Sequence, residues 1–271
     1  MSEVASAEPR APDDIGRREG ERSPLRTFLR YLGTPLVLAL VLLVLYLWVT
    51  GQELGSVEAR RLTADVIRTQ TVRHIELTVL STFFVLILAV PLGIVATRRA
   101  TKRFAPTIIG LGNAGQAIPS LGLLALLYYL FREVNGLPST GIVPVVVALT
   151  AYSFLPILRN TMVGLQQVDE SILEAGRGMG MSEWRVLRKI EMPLAVPVIL
   201  AGVRTALVLN VGTATLAFLF GAGGLGGIIF QGFQLRRTPV LMTGAVLVAV
   251  LALLIDYIAG IVEEKLTPRG L

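Results

Sequence analysis

The residues of this chain best suited to specific work lie between Glu174 and Pro193, in the stretch EAGRGMGMSEWRVLRKIEMP. Glu174, Ala175, Arg177, Gly178 and Met181 fit the first turns of a short helix. Small residues at 175, 176, 178 and 180 let another surface approach the backbone closely. Gly178 and Gly180 stop the helix and turn the chain. A second short amphipathic helix is expected next, with Trp184, Val186, Leu187 and Ile190 apolar and Glu183, Arg185, Arg188 and Lys189 polar. Pro193 ends that helix and suits the start of the following one. The chemistry on offer is docking: a small knob with an ionic rim, fitted to a groove on a partner. Nothing in the stretch supplies a nucleophile, a metal-ligand set or an acid–base pair.

The rest of the chain narrows the possibilities by what it lacks. Cysteine is absent, so disulfides, Cys zinc sites and thiol chemistry are excluded. His74 is the only histidine, which excludes a His-based metal or acid–base cluster. A Walker A loop needs Gly-Lys-Ser/Thr. The lysines are Lys102, Lys189 and Lys265, and none follows a glycine, so this chain cannot hydrolyse ATP alone. No cofactor is expected. Gly221, Gly223 and Gly226 spell G-x-G-x-x-G, but that spacing has meaning between a strand and a helix. Here it follows an apolar helix, and it reads as a turn that tucks an amphipathic re-entrant segment, Leu225–Phe233, against an outer gate.

The elements that must position these residues are apolar. Of 271 residues, 53% are hydrophobic and 16% charged, which places the chain among polytopic membrane proteins. Six spans are expected, at about 34–50, 75–96, 104–131, 141–158, 194–220 and 240–262, giving an all-α bundle. Tyr46 and Trp48 suit an interfacial position at the end of the first. Residues 1–30 are rich in charge, Pro and Gly, and read as a disordered tail ending in a short interfacial piece. The run after them is not a signal peptide: it begins late, and GQELGSVEARR after it offers no small-x-small cleavage site.

Lys and Arg set the orientation. With the N-terminus inside, the inner segments hold 17 basic residues: Arg10, Arg17, Arg18, Arg22, Arg26, Arg30, Arg98, Arg99, Lys102, Arg103, Arg159, Arg177, Arg185, Arg188, Lys189, Lys265 and Arg269. The outer segments hold seven: Arg60, Arg61, Arg68, Arg73, Arg132, Arg236 and Arg237. That bias puts both termini and the 174–193 loop in the cytoplasm. Because the basic residues are scattered around the spans, the net charge of +6 reflects topology rather than nucleic-acid binding.

Polar residues inside spans are costly against lipid and should face protein or water. Arg204 and Asp256 fall at a similar depth from the cytoplasmic face, at ~1.5 Å per residue, and either pair or snorkel separately. Pro119 interrupts the third span beside Gln116 and Ser120. This marks either a transport pathway or a packing kink. Asn210, Thr213 and Thr215 in the fifth span are either pathway residues or helix–helix contacts.

The 174–193 stretch also fits the pattern E-A-A-x-x-x-G, nine residues, then I-x-L-P. Glu174, Ala175, Gly180, Ile190 and Pro193 match, with Gly176 in place of the second Ala and Met192 in place of Leu. It resembles the cytoplasmic coupling loop of binding-protein-dependent ABC importer permeases. IELTVLSTFFVLILAVPLGIVATR (75–98), GQAIPSLGLLALL (115–127), LPILRNTMVGLQQVDESILEAGRGMGMS (155–182) and AGVRTALVLNVGTATLAFLFGAGGLGGIIFQG (201–232) resemble permeases of osmoprotectant importers, which carry glycine betaine, choline, carnitine or proline.

The resemblance covers about 72–271 and implies the type I, methionine-importer-like permease fold, with a coupling loop at 159–193 and an extra first helix at 31–52. It also implies separate ABC ATPase subunits, an extracytoplasmic solute-binding protein and a second permease, identical or paralogous. A permease of the same architecture for methionine or an alkyl sulfonate is the nearest alternative. An ATP-independent secondary transporter would leave the 174–193 loop unexplained.

Overall fold

A computed structural model describes residues 24–267 except Asn135, and among these all regular structure is helical. The tail expected at 1–30 lies mostly outside the described residues. Within it α1 (Pro24–Thr50) begins at Pro24, where the short interfacial piece is expected, and continues into the first span. After the short α2 (Ser56–Arg61), α3 (Ala64–Thr97) starts on Thr63, whose hydroxyl accepts the Val66 N–H at 3.4 Å. That bond satisfies one of the free donors of the first turn.

The third expected span is broken rather than bent. α4 (Ala105–Ala117) and α5 (Ser120–Glu133) meet at 102° across Ile118 and Pro119. Proline drives the residue before it out of the helical region, and Ile118 is extended at φ −74°, ψ 126°. α6 (Ile142–Gln166) follows and is the central helix, burying Val145, Leu149, Leu155, Ile157 and Leu158. Then come α7 (Glu170–Gly178), α8 (Glu183–Val186), α9 (Met192–Thr213), α10 (Gly226–Gln234) and α11 (Thr238–Leu266). A 3-10 segment, Ala214–Phe220, extends α9.

Packing fixes the direction of each helix. Gly93 faces Thr161, and the Ser81 carbonyl accepts from Thr150, so α3 and α6 run the same way. The chain must therefore recross between them, and the broken pair α4–α5 makes that crossing. Five helices are long and apolar enough to cross a membrane, and counting the α4–α5 pair as one span gives six. Gly164 lies against Ala195 and Val198, and Gly202 against Pro156 and Asn160, which makes α9 antiparallel to α6. A Cβ on Gly202 would sit 2.7 Å from the Asn160 Cβ, so only glycine allows so close an approach.

α11 runs back along α9, with Asp256 beside Arg204. α1 lies antiparallel to α11, where the Tyr257 hydroxyl donates to the Tyr31 carbonyl. The described ends of the chain thus share one side with the α3 C-terminus and the α7–α8 loop. Those are the segments that carry the basic excess.

Candidate coupling and translocation site

Asp169 caps α7 by accepting the Ser171 N–H at 2.9 Å, and that bond holds its carboxyl below the usual carboxylate range. The helix therefore begins at Glu170, and Glu174 and Ala175 lie in its middle rather than its first turn. It ends in a Schellman arrangement. The Met181 N–H bonds the Gly176 carbonyl at 3.1 Å, and the Gly180 N–H bonds the Arg177 carbonyl at 2.9 Å. Gly180 has φ +81°, the left-handed conformation this turn requires. A Cβ at Gly180 would meet nothing within 4 Å, so its outward side is open.

Two expectations for this loop are corrected. Gly176 is buried inside the chain, where a Cβ would come 2.7 Å from Cδ1 of Ile190. Its small size serves the seam between α7 and the 186–190 segment, not a partner. The second amphipathic helix is also not separate. α8 passes through a π-helical turn, Leu187–Glu191, straight into α9, and Glu183–Phe220 reads as one membrane-crossing segment. Met192 N–H reaches back five residues to the Leu187 carbonyl. This wider turn takes up Pro193, which has no N–H to give, without ending the helix.

Ion pairs brace the loop. Arg177 holds both Glu170 and Glu183, each at 2.9 Å. Arg98, just past the end of α3, grips Glu191 with both guanidinium arms, one at 2.9 Å. Glu191 is 3% exposed, and this pairing raises the Arg98 pKa further above its ordinary range. These residues border a cleft of about 490 Å³ between the α3 end and α7. The Arg98–Glu191 pair is not apparent in the sequence; its one local signal is an acid between Ile190 and Met192, just before Pro193. The outward face of the loop presents Glu174, Ala175 and Gly178, with Met179 72% and Trp184 69% exposed.

In the membrane region, Arg204 and Asp256 do meet. Two hydrogen bonds join them, one at 2.7 Å, and Glu263 stands 3.8 Å from the same guanidinium. Both are half-buried in a groove closed on one side by Tyr31 and Thr34 of α1. Gln116 and Ser120 flank the α4–α5 break and are partly open, while Pro119 is exposed. Thr213 is also partly open, its hydroxyl bonded to the Leu209 carbonyl at 2.8 Å. Asn210 departs from a pathway role. It is 0% exposed, and its amide donates to the Thr82 hydroxyl at 3.0 Å, joining α9 to α3.

The 221–226 segment is a turn, as expected, with positive φ at Gly221, Gly223 and Gly224. A Cβ on Gly226 would collide with the Thr215 carbonyl, so α10 can enter there only on glycine. The helix after the turn is Gly226–Gln234, one residue later at each end than the segment expected there.

An all-helical bundle with five or six candidate membrane spans thus carries a braced polar loop at one end. The family model described as "Binding-protein-dependent transport system inner membrane component" matches residues 89–268, and the chain belongs to that family. It is a transport subunit, not an enzyme, and works with a separate ATPase. Over 202 residues it is 43% identical to the glycine betaine/carnitine/choline transport system permease protein OpuCB of Bacillus subtilis, a match covering 74% of this chain and 89% of the relative. It is 40% identical over 243 residues to the osmoprotectant import permease protein OsmY of Salmonella typhimurium, covering 90% of this chain and 98% of the relative. That second match is longer than residues 72–271, so it extends into the N-terminal region. Among solved structures, a chain of the MetNI methionine ABC transporter in inward facing conformations superposes with a TM-score of 0.66 at 25% identity, covering 76% of this chain and all of that one.

Proposed function

We propose that this chain imports a quaternary-ammonium or related osmoprotectant, such as glycine betaine, choline, carnitine or proline. The observation that carries the solute class is the 40–43% identity, across most of both chains, to relatives named for osmoprotectants. The methionine transporter shares the fold at 25% identity, which favours a common mechanism rather than a common solute.

On this reading the α7–α8 face, with Glu174, Ala175, Gly180, Met179 and Trp184, docks into a groove on the ATPase. Ile190 and Pro193 link that face to α9. ATP-driven approach of two ATPases would then be transmitted along α9, which is rigidly continuous with the loop through the π turn. The loop side is cytoplasmic and the 221–226 side faces the solute-binding protein. Residues 31–52 form an added helix beside the 72–271 transport domain.

A second permease, identical or paralogous, completes the pathway. Gln116 and Ser120 support this, because partly open polar groups at membrane depth need a partner other than lipid. The test is uptake by proteoliposomes holding the complete importer, with unlabelled competitors. Glycine betaine, choline, carnitine or proline should compete with labelled solute, whereas methionine and an alkyl sulfonate should not. Competition by methionine alone would reverse the assignment.

A further inference from the structure

The lone histidine is not used by the coupling loop or by the polar residues at the α4–α5 break. It lies on α3 at the end of the bundle opposite the loop, with its ring 0% exposed. Nε2 is 2.9 Å from the Val211 carbonyl, and Nδ1 is 3.3 Å from the Leu225 backbone nitrogen. One neutral tautomer satisfies both: Nε2–H donates to the carbonyl, and Nδ1 accepts from the amide. One turn earlier, Gln70 accepts the Gly224 N–H at 2.8 Å. Two consecutive amides of the glycine turn are therefore held by two side chains of α3. The approach depends on glycine, since Gly224 has φ +100° and a Cβ there would lie 3.2 Å from Nδ1.

We infer that His74 is a positioning residue for the 221–226 turn, latching it to α3 while the ring is neutral and releasing it when the ring takes a second proton. A proton on Nδ1 would point at the Leu225 N–H, donor against donor, and the ring could no longer accept that hydrogen bond. The charged groups around the turn are Asp65, Arg68, Arg73 and Glu76 of α3, and the buried Glu58 of α2 at the same end stands 3.7 Å from Arg237. Arg73 and Glu76 already pair at 2.7 Å. The segments packed from the other side, 211–228, contain no ionisable side chain that could hold an imidazolium.

Releasing the turn would loosen Leu225, which is buried in a cluster with Val211, Ile228, Val240 and Leu251, and with it the start of α10. The consequence for transport rests on the reading that this end is the outer face. The latch itself does not.

The test measures backbone amide exchange at Gly224 and Leu225 in the assembled complex in lipid nanodiscs, purified without a histidine tag. Rates are corrected for intrinsic pH dependence. Protection in the wild type should fall about tenfold between roughly pH 8 and pH 5, the effect of losing a hydrogen bond of ordinary net strength. His74→Gln can donate and accept as the neutral ring does but cannot titrate, so its protection should stay flat across that range. His74→Ala should be unprotected at both ends. A wild type with flat protection, or a His74→Gln profile that falls like the wild type, would overturn the latch.

Should His74→Gln fail to assemble, exchange of the ring C2 hydrogen in the wild type reports its titration directly, because no other histidine is present in the chain. A ring that stays neutral over the whole range would also overturn it. Solute uptake enters none of these readouts, so a wrong solute assignment leaves the result interpretable.

Discussion

Arg98 and Glu191, 93 positions apart, close the base of the 170–191 loop with a bidentate ion pair. The pair ties the end of α3 to the π turn that joins α8 to α9. If the loop couples to an ATPase as proposed, a force arriving at α7 or α8 would reach two membrane helices rather than one.

That geometry predicts a strongly non-additive mutant cycle. Arg98→Ala leaves Glu191 buried and unpaired, which should cost ~3 kcal/mol, more than Arg98→Ala with Glu191→Ala together. Thermal unfolding of the detergent-solubilised complex is the measurement. Additive losses would show that the two side chains act independently.

Much of this site is legible in the sequence, for physical reasons. The Gly178–Gly180 stop is local chemistry, and the Schellman turn bears it out. The helix start at Glu170 is harder to see, because it is set by the single cap residue Asp169 and not by the glycine pattern that follows. Pro193 reads as a stop, but a proline ends an α-helix only where its missing N–H and its ring have no wider turn to use. Arg98–Glu191 and Asn210–Thr82 bridge residues far apart in the chain, and such partners leave no local periodicity. A polar residue at mid-span reads equally well as pathway or as helix contact, and only packing shows that Asn210 is the second.

Arg204 and Asp256 give a milder cycle, since both are partly open to the groove beside α1. Each single alanine substitution should cost ~1–3 kcal/mol, and the double mutant should recover part of that loss. Melting curves and solute uptake together check it. Strict additivity would contradict the pairing in the assembled complex.

α1 is largely exposed along its span and packs on α11, where its Tyr31 and Thr34 wall the Arg204–Asp256 groove. Removing residues 1–30 should leave transport nearly unchanged. Removing 1–52 should preserve insertion and most of the uptake, with a melting temperature about 2–4 °C lower from ~1 kcal/mol of lost packing. A correctly inserted but inactive 53–271 chain would show that α1 takes part in transport.

The most direct test of coupling through the 170–191 loop is ATP hydrolysis by the assembled importer, with and without solute-loaded binding protein, in the wild type and in Gly180→Leu. Leucine at φ +81° strains the turn by ~1–2 kcal/mol and projects from its open outer side, where the ATPase is expected. Stimulation by loaded binding protein should be lost while membrane insertion and amount of chain stay normal. Full stimulation in Gly180→Leu would contradict the assignment of this loop to coupling.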